Sequence, residues 1–184
     1  MHERRHAIEL RFAGSKTAPR LEGYAAVFDA PSEDLGGFVE HVRRGAFTRT
    51  LREAKLDPLA LVHHDARLVL GRRSAGTLRL SEDDKGLLFE IDLPNTQTAH
   101  ELAVSVERRD ITGASFAFTV PPGGDKWTFG DGAAVRELID IDLHEISITA
   151  TPAYPDTEVA KRALGELRRR PRLAHLRRFL ETCE

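Results

Sequence analysis

Gly113-Ala114-Ser115-Phe116-Ala117-Phe118 reads as a β-strand with two unlike faces. With a period of two, Ala114, Phe116, Phe118 and Val120 line one side while Ser115, Ala117 and Thr119 line the other. The phenylalanine side is suited to anchoring a core. The opposite side carries only small side chains, so Ser115 is expected on a shallow floor with room above it for a substrate backbone. Taken alone, a serine on such a strand is a hydrogen-bonded or solvent-facing residue. Two other stretches bear on whether it does more.

Upstream of this strand, Asn95 or Thr96 is placed to cap a helix whose apolar side is Ala99, Leu102, Ala103 and Val106. Before that helix, Thr77 to Leu80 and Leu87 to Ile91 flank Asp83-Asp84-Lys85-Gly86, the clearest hairpin in the chain. The N-terminal third alternates as strands at Ile8, Leu10 and Phe12, at Leu21 to Phe28 and at Phe38 to Val42. A helix is expected from Gly45, with Phe47, Leu51 and Ala54 on one side and Pro58 ending it. Leu59 to His64 reads as a strand, followed by a turn at Asp65-Ala66-Arg67 and a run from Leu68 to Arg73. Downstream, Lys126 to Phe129 and Ala134 to Leu143 read as a further hairpin, and Glu145 to Ala150 continues the sheet. The fold class expected from this inventory is α+β: a mainly antiparallel sheet or barrel of about eight strands with inserted helices.

After Pro155 the character changes. Asp156 or Thr157 is placed to cap a helix running to Arg170, and Pro171 separates it from a second helix with Leu173, Leu176 and Leu180 at helical spacing. Of the 27 Lys and Arg and 29 Asp and Glu residues, 8 and 3 lie from Lys161 onward, which leaves an acidic body and a basic tail. A domain over residues 1–163 and a basic helical tail over 164–184 are therefore expected. The tail is read first as a solvated helix, next as a segment that docks onto an acidic partner, and third as a pro-segment removed by self-cleavage.

Composition narrows the chemistry. With 41% hydrophobic and 30% charged residues the chain reads as a globular protein without a membrane span, and Met1 to His6 lacks the apolar core of a signal peptide. Production and use in the cytoplasm are therefore expected. One cysteine, Cys183, rules out an internal disulfide framework and a multi-cysteine zinc site. His63, His64, Asp65, His100 and His144 show no recognised metal-ligand spacing, so neither metal nor cofactor is expected. An acidic body, and a tail with no stacking aromatic besides Phe179, argue against specific nucleic-acid binding.

Leu59 to Asp65 puts adjacent histidines at a strand end, and neighbouring strand residues face opposite ways. One of His63 and His64 is thus free to turn toward the floor of Ser115. In Leu138 to Ala150 the pattern breaks: Ile139, Ile141 and Leu143 form an apolar face on which the next residue is Glu145. A carboxylate facing a core costs several kcal/mol without a partner. Either a histidine meets Glu145, or a bulge at His144-Glu145 swings it toward water, after which Ile146 and Ile148 take the other phase. The three stretches together supply a nucleophile, a base and an orienting carboxylate, because a serine needs a base to take its proton and that base needs a third group to hold it.

Arg20 to Phe28, Gly45-Ala46-Phe47, His64-Asp65 with Leu70-Gly71-Arg72, Gly113 to Phe118, and Glu145-Ile146-Ser147 with Pro152-Ala153-Tyr154 resemble, in order and at similar spacing, the motif series of the tailed-bacteriophage prohead maturation proteases. The resemblance covers Leu21 to Arg162. It implies a serine endopeptidase, distantly similar in fold to herpesvirus assemblins, that works inside the assembling procapsid in the host cytoplasm. Its implied substrates are the scaffold protein or the scaffold-like arm of the major capsid protein, together with itself, and its implied active form is a homo-oligomer.

Carried over by motif, the catalytic residues are Ser115, His64 and Glu145. The residue before the motif histidine, often asparagine in the family, is His63 here. Assemblins use a second histidine as third member, which keeps His144 as an alternative to Glu145. Backbone N–H groups near Gly71-Arg72 are expected to meet the oxyanion, while Arg72 and Arg73 otherwise read as surface charges. The rival reading is a non-enzymatic capsid or scaffold component in which Ser115 is silent.

Overall fold

The computed structural model describes residues 3–7, 9–15, 18–129 and 133–150. Among them are twelve strands and two short helices, arranged as three open sheets rather than one barrel. The strand count exceeds the expected eight, and one strand, Glu3–Ala7, precedes the first that the alternation marks. The expected tail over 164–184, the boundary at 163 and Cys183 lie outside the described residues.

The sheet that carries the candidate site has five strands: β1 (Glu3–Ala7), β9 (Gly113–Thr119), β12 (Asp142–Thr149), β5 (Leu59–Val62) and β6 (Asp65–Arg72), in that spatial order. β12 runs parallel to β5, and the other neighbours are antiparallel. A four-stranded antiparallel sheet orders β2 (Glu9–Ser15), β3 (Ala18–Val27), β8 (Gly86–Asp92) and β7 (Leu78–Glu82). The third sheet orders β10 (Asp125–Thr128), β11 (Ala134–Leu138) and β4 (Phe38–Val42), with β11 parallel to β4.

The core forms where β9 turns its aromatic side inward. Phe116 and Phe118 stack at 5.3 Å, and Phe47 meets Phe116 edge-on at 5.7 Å. These rings and Ile146 and Ile148 of β12 are buried with Leu21, Leu87, Phe89 and Ile91 of the four-stranded sheet. Each large side chain so buried contributes about 1.5–3 kcal/mol. Helix α2 (Gln97–Glu107) closes one side with Ala99, Leu102 and Val106. Its cap is Thr96, whose side chain accepts the Ala99 N–H. The β7–β8 hairpin forms as its sequence predicts, with Asp83 Oδ1 accepting the Lys85 and Gly86 N–H groups. A Cβ on Gly86 would lie 1.9 Å from the Ala26 carbonyl oxygen, so the approach of β3 to β8 there admits only glycine.

Two expectations change. The helix from Gly45 is only the short α1 (Thr48–Arg52), and the chain is extended again at Glu53. Arg73, read as a surface charge, crosses to that helix end and donates to the carbonyls of Thr50, Leu51, Glu53 and Leu56. It serves as the C-terminal partner that so short a helix lacks. The strand expected over Ala134 to Leu143 is broken after Leu138, where the Ile139 and Asp140 N–H groups both donate to the Gly124 carbonyl. Ile139 is consequently exposed, while Ile141 and Leu143 enter the core.

β1 is joined to the third sheet by buried charges. Arg5 donates to Glu3 and Glu40, and Arg136 donates to Glu3, Glu40 and Asp125. Glu3, Arg5, Glu40 and Arg136 are all buried. Such a network is worth little against an apolar replacement, but removing one member strands the rest. Glu40→Gln is therefore expected to lower the unfolding free energy by about 3–5 kcal/mol. Urea unfolding followed by Trp127 fluorescence measures it, since Trp127 lies against Arg136. A loss under about 1 kcal/mol, the value of an exposed pair, would mean that water reaches the network.

Candidate active site

Two local features bring the site together, and the first is a bulge. β12 and β9 run antiparallel with Leu143 opposite Phe118 and Glu145 opposite Ala117, so His144 is an extra residue. Before it, Leu143 faces the core. After it, Ile146 and Ile148 face the core, and Glu145, Ser147 and Thr149 share the side of the sheet that carries Ser115. The two readings of Glu145, a histidine partner or a bulge, thus occur together. The bulge moves the carboxylate off the core face onto the face where a histidine meets it.

The second feature is a turn. His63 and His64 are the two loop residues of the β5–β6 hairpin, between the paired Val62 and Asp65. Both have positive φ, 50° and 60°, the signature of a type I′ turn. The turn expected at Asp65-Ala66-Arg67 is therefore two residues earlier, and Asp65 to Arg67 already belong to β6. Glycine or asparagine ordinarily fills such positions; histidine is one of the few other residues found there with any frequency.

β12 holds this turn at several points. The His63 N–H donates to the Ile148 carbonyl at 3.0 Å, and the His64 N–H donates to Ser147 Oγ at 2.7 Å. His63 Nδ1 lies 3.2 Å from Thr149 Oγ1, which directs that ring away from Ser115. His64 Nδ1 is in short contact with Glu145 Oε1, and His64 Nε2 lies 3.0 Å from Ser115 Oγ. With a carboxylate at Nδ1, that nitrogen carries the proton and donates it to Glu145. Nε2 is then the acceptor for the Ser115 hydroxyl. The structure brings Ser115, His64 and Glu145 into one hydrogen-bonded chain, and an imidazole so held is poised to accept a proton from the serine.

Other candidates lie elsewhere. His144 Nε2 is 3.0 Å from Thr119 Oγ1, and His100 Nε2 is 3.0 Å from Asn95 Oδ1. Asp65 binds Arg67, whose side-chain hydrogen bonds hold its carboxyl down at about 2. Among the described residues no group of three His, Cys, Asp or Glu side chains gathers around a common point. Gly71 and Arg72 are not placed to meet an oxyanion at Ser115. β6 is the third strand away from β9, about 14 Å at ordinary strand spacing, and the Arg72 N–H donates to Thr77 Oγ1. The expected room above Ser115 is also missing: the residue is 0% exposed. The His64 ring lies against its hydroxyl, and Ala117 and Ser147 beside it are buried as well. Ser147 and Thr149 were given no role by sequence reasoning. Their signal was present as the alternation of Glu145, Ser147 and Thr149 between Ile146 and Ile148.

A mixed β protein in which a serine, a histidine and a carboxylate form one hydrogen-bonded chain has the arrangement of a serine acyl-transfer enzyme. The protein-family description "Caudovirus prohead serine protease" matches residues 6–169, and the chain belongs to that family. The motif resemblance pointed to the same family. No curated protein matches significantly. Among solved structures, the bacteriophage T4 capsid assembly protease gp21 aligns over 80% of this chain and 98% of that chain, with 9% identity and a TM-score of 0.48. Among the described residues no helix is long and apolar enough to cross a membrane.

The left-handed turn predicts a specific tolerance at His63, which is exposed and loses no core contact on replacement. His63→Gly is expected to change the unfolding free energy by less than about 1 kcal/mol, and His63→Val to cost more than about 2 kcal/mol because a β-branched residue resists positive φ. Urea unfolding of both variants measures the difference. A His63→Val protein as stable as the parent would mean that the turn is not left-handed.

Proposed function

We propose that this prohead serine protease cuts the scaffold protein, or the scaffold-like arm of the major capsid protein, inside the assembling procapsid, with Ser115 as nucleophile, His64 as base and Glu145 as orienting carboxylate. The single observation that carries the assignment is the continuous hydrogen-bonded chain from Glu145 through both ring nitrogens of His64 to Ser115 Oγ. In the first half-reaction Ser115 Oγ bonds to the scissile carbonyl carbon while its proton passes to His64 Nε2. Glu145 stabilises the imidazolium that forms. His64 then gives that proton to the departing amine as the C–N bond breaks, which leaves an acyl-enzyme.

In the second half-reaction His64 takes a proton from water as the water oxygen bonds to the acyl carbon, and returns it to Ser115 Oγ as the bond between that carbon and Oγ breaks, releasing the new carboxyl end. Glu145 is favoured over His144 as third member because it bonds Nδ1 of His64, whereas His144 reaches Thr119. Ser115 is fully buried in this state, so the reading includes an opening that admits the peptide.

Co-expression with the capsid and scaffold proteins of the same virus or prophage, read by intact mass, tests this. The parent chain is expected to give discrete fragments. Ser115→Ala is expected to give none, and Glu145→Gln to cut at least about 100-fold more slowly because the wrong tautomer is no longer disfavoured. His144→Gln should stay within several-fold of the parent. Identical fragments from the parent and Ser115→Ala would remove Ser115 as nucleophile. No cutting by the parent would favour the reading of a silent capsid or scaffold component.

A further inference from the structure

We propose that Ser147 is the positioning residue for His64: it fixes the backbone of the base while Glu145 fixes its ring. The inference rests on the reading of Ser115, His64 and Glu145 as the reacting chain. His64 stands in a turn, so its N–H has no place in the strand ladder. That N–H donates instead to Ser147 Oγ at 2.7 Å, and Ser147 is 0% exposed. Without this acceptor the backbone donor would lose its partner beside a fully buried side chain.

The geometry makes the contact more than a satisfied donor. Ser147 is the register partner of Ser115 across the β12–β9 ladder, and it lies two residues from Glu145 on the same face. One strand therefore grips the amide and the imidazole of the same histidine, in fixed register with the nucleophile. Both turn residues have positive φ, a conformation that non-glycine residues leave readily when an anchor is lost. Relaxation of His64 toward negative φ would carry its ring away from Ser115 and Glu145. Small displacements of a base cost rate steeply.

The test uses the full chain and a small alkyl fluorophosphonate, which forms an Oγ–P bond at an activated serine and expels fluoride. The parent is expected to be labelled at Ser115, and Ser115→Ala to remain unlabelled. Ser147→Ala is expected to be labelled at least ten-fold more slowly per folded molecule, and the low-field proton resonance of His64 Nδ1–H should broaden or shift. Ser147→Thr, which keeps an acceptor oxygen, is expected to recover most of the rate. Adding His63→Gly to Ser147→Ala should recover part of it, because glycine keeps position 63 at positive φ without strain.

Labelling of Ser147→Ala within two-fold of the parent, or an unchanged His64 resonance, overturns the proposal and leaves the reacting chain intact. An unlabelled parent overturns both. Should the Ser147 variants not fold, hydrogen exchange in the parent decides. Protection of the His64 amide at the level of the neighbouring β5 amides supports the anchor, and exchange at the rate of an open turn overturns it.

Discussion

One extra residue in β12 determines which side of the sheet carries a charge. Without His144 as a bulge, the alternation that buries Ile141 and Leu143 would bury Glu145 and Ser147 beside Phe116 and Phe118, and would turn Ile146 and Ile148 outward. With it, the apolar residues on either side of the break all face the core. The carboxylate and two hydroxyls face the side on which Ser115 lies. A change of phase of this kind costs a local ladder hydrogen bond, which the packing of Ile146 and Ile148 readily offsets. The core thus enforces the placement of Glu145 without touching it.

The strain in the site is carried on the neighbouring hairpin. Two non-glycine residues with positive φ cost about 1–2 kcal/mol each. Both are retained because β12 supplies the Ile148 carbonyl, the Ser147 and Thr149 hydroxyls and the Glu145 carboxylate within reach of the same turn. A two-residue turn is the shortest link that lets β5 and β6 pair, and it leaves a loop residue little freedom to wander. His64 therefore projects from a hairpin tip that β12 holds in place, as a base that must meet two partners on two different strands requires.

Much of this is legible in the sequence. The two faces of β9 follow from alternation alone, and so does the need of Glu145 for a partner. Strand alternation also leads to the expectation that one residue of the His63-His64 pair turns toward Ser115; one does, but neither lies in a strand. The residues separate because a type I′ turn sends one ring toward Ser115 and the other toward Thr149. Dipeptides that announce such a turn usually contain glycine or asparagine, and this one contains neither. The open floor above Ser115 was not legible as closed, since small side chains along one strand say nothing about what the fold lays over them. The reach of Arg73 to the end of α1 was equally hidden, because a long side chain spanning some twenty residues of sequence leaves no periodic trace.

The buried charges on β1 belong to the same problem of phase. β1 is an edge strand, held on one side only by β9, and an edge strand with weak patterning is free to slip. Glu3 lies opposite Phe118 and Arg5 opposite Phe116, on the core side of the sheet, where they meet Glu40 and Arg136 of the third sheet. A slip by one residue would turn both charges to the opposite face, taking Arg5 from Glu40 and Glu3 from Arg136 and leaving these two with only each other and Asp125. The charges add little net stability, yet they admit one register, and that register fixes which backbone lies alongside Ser115.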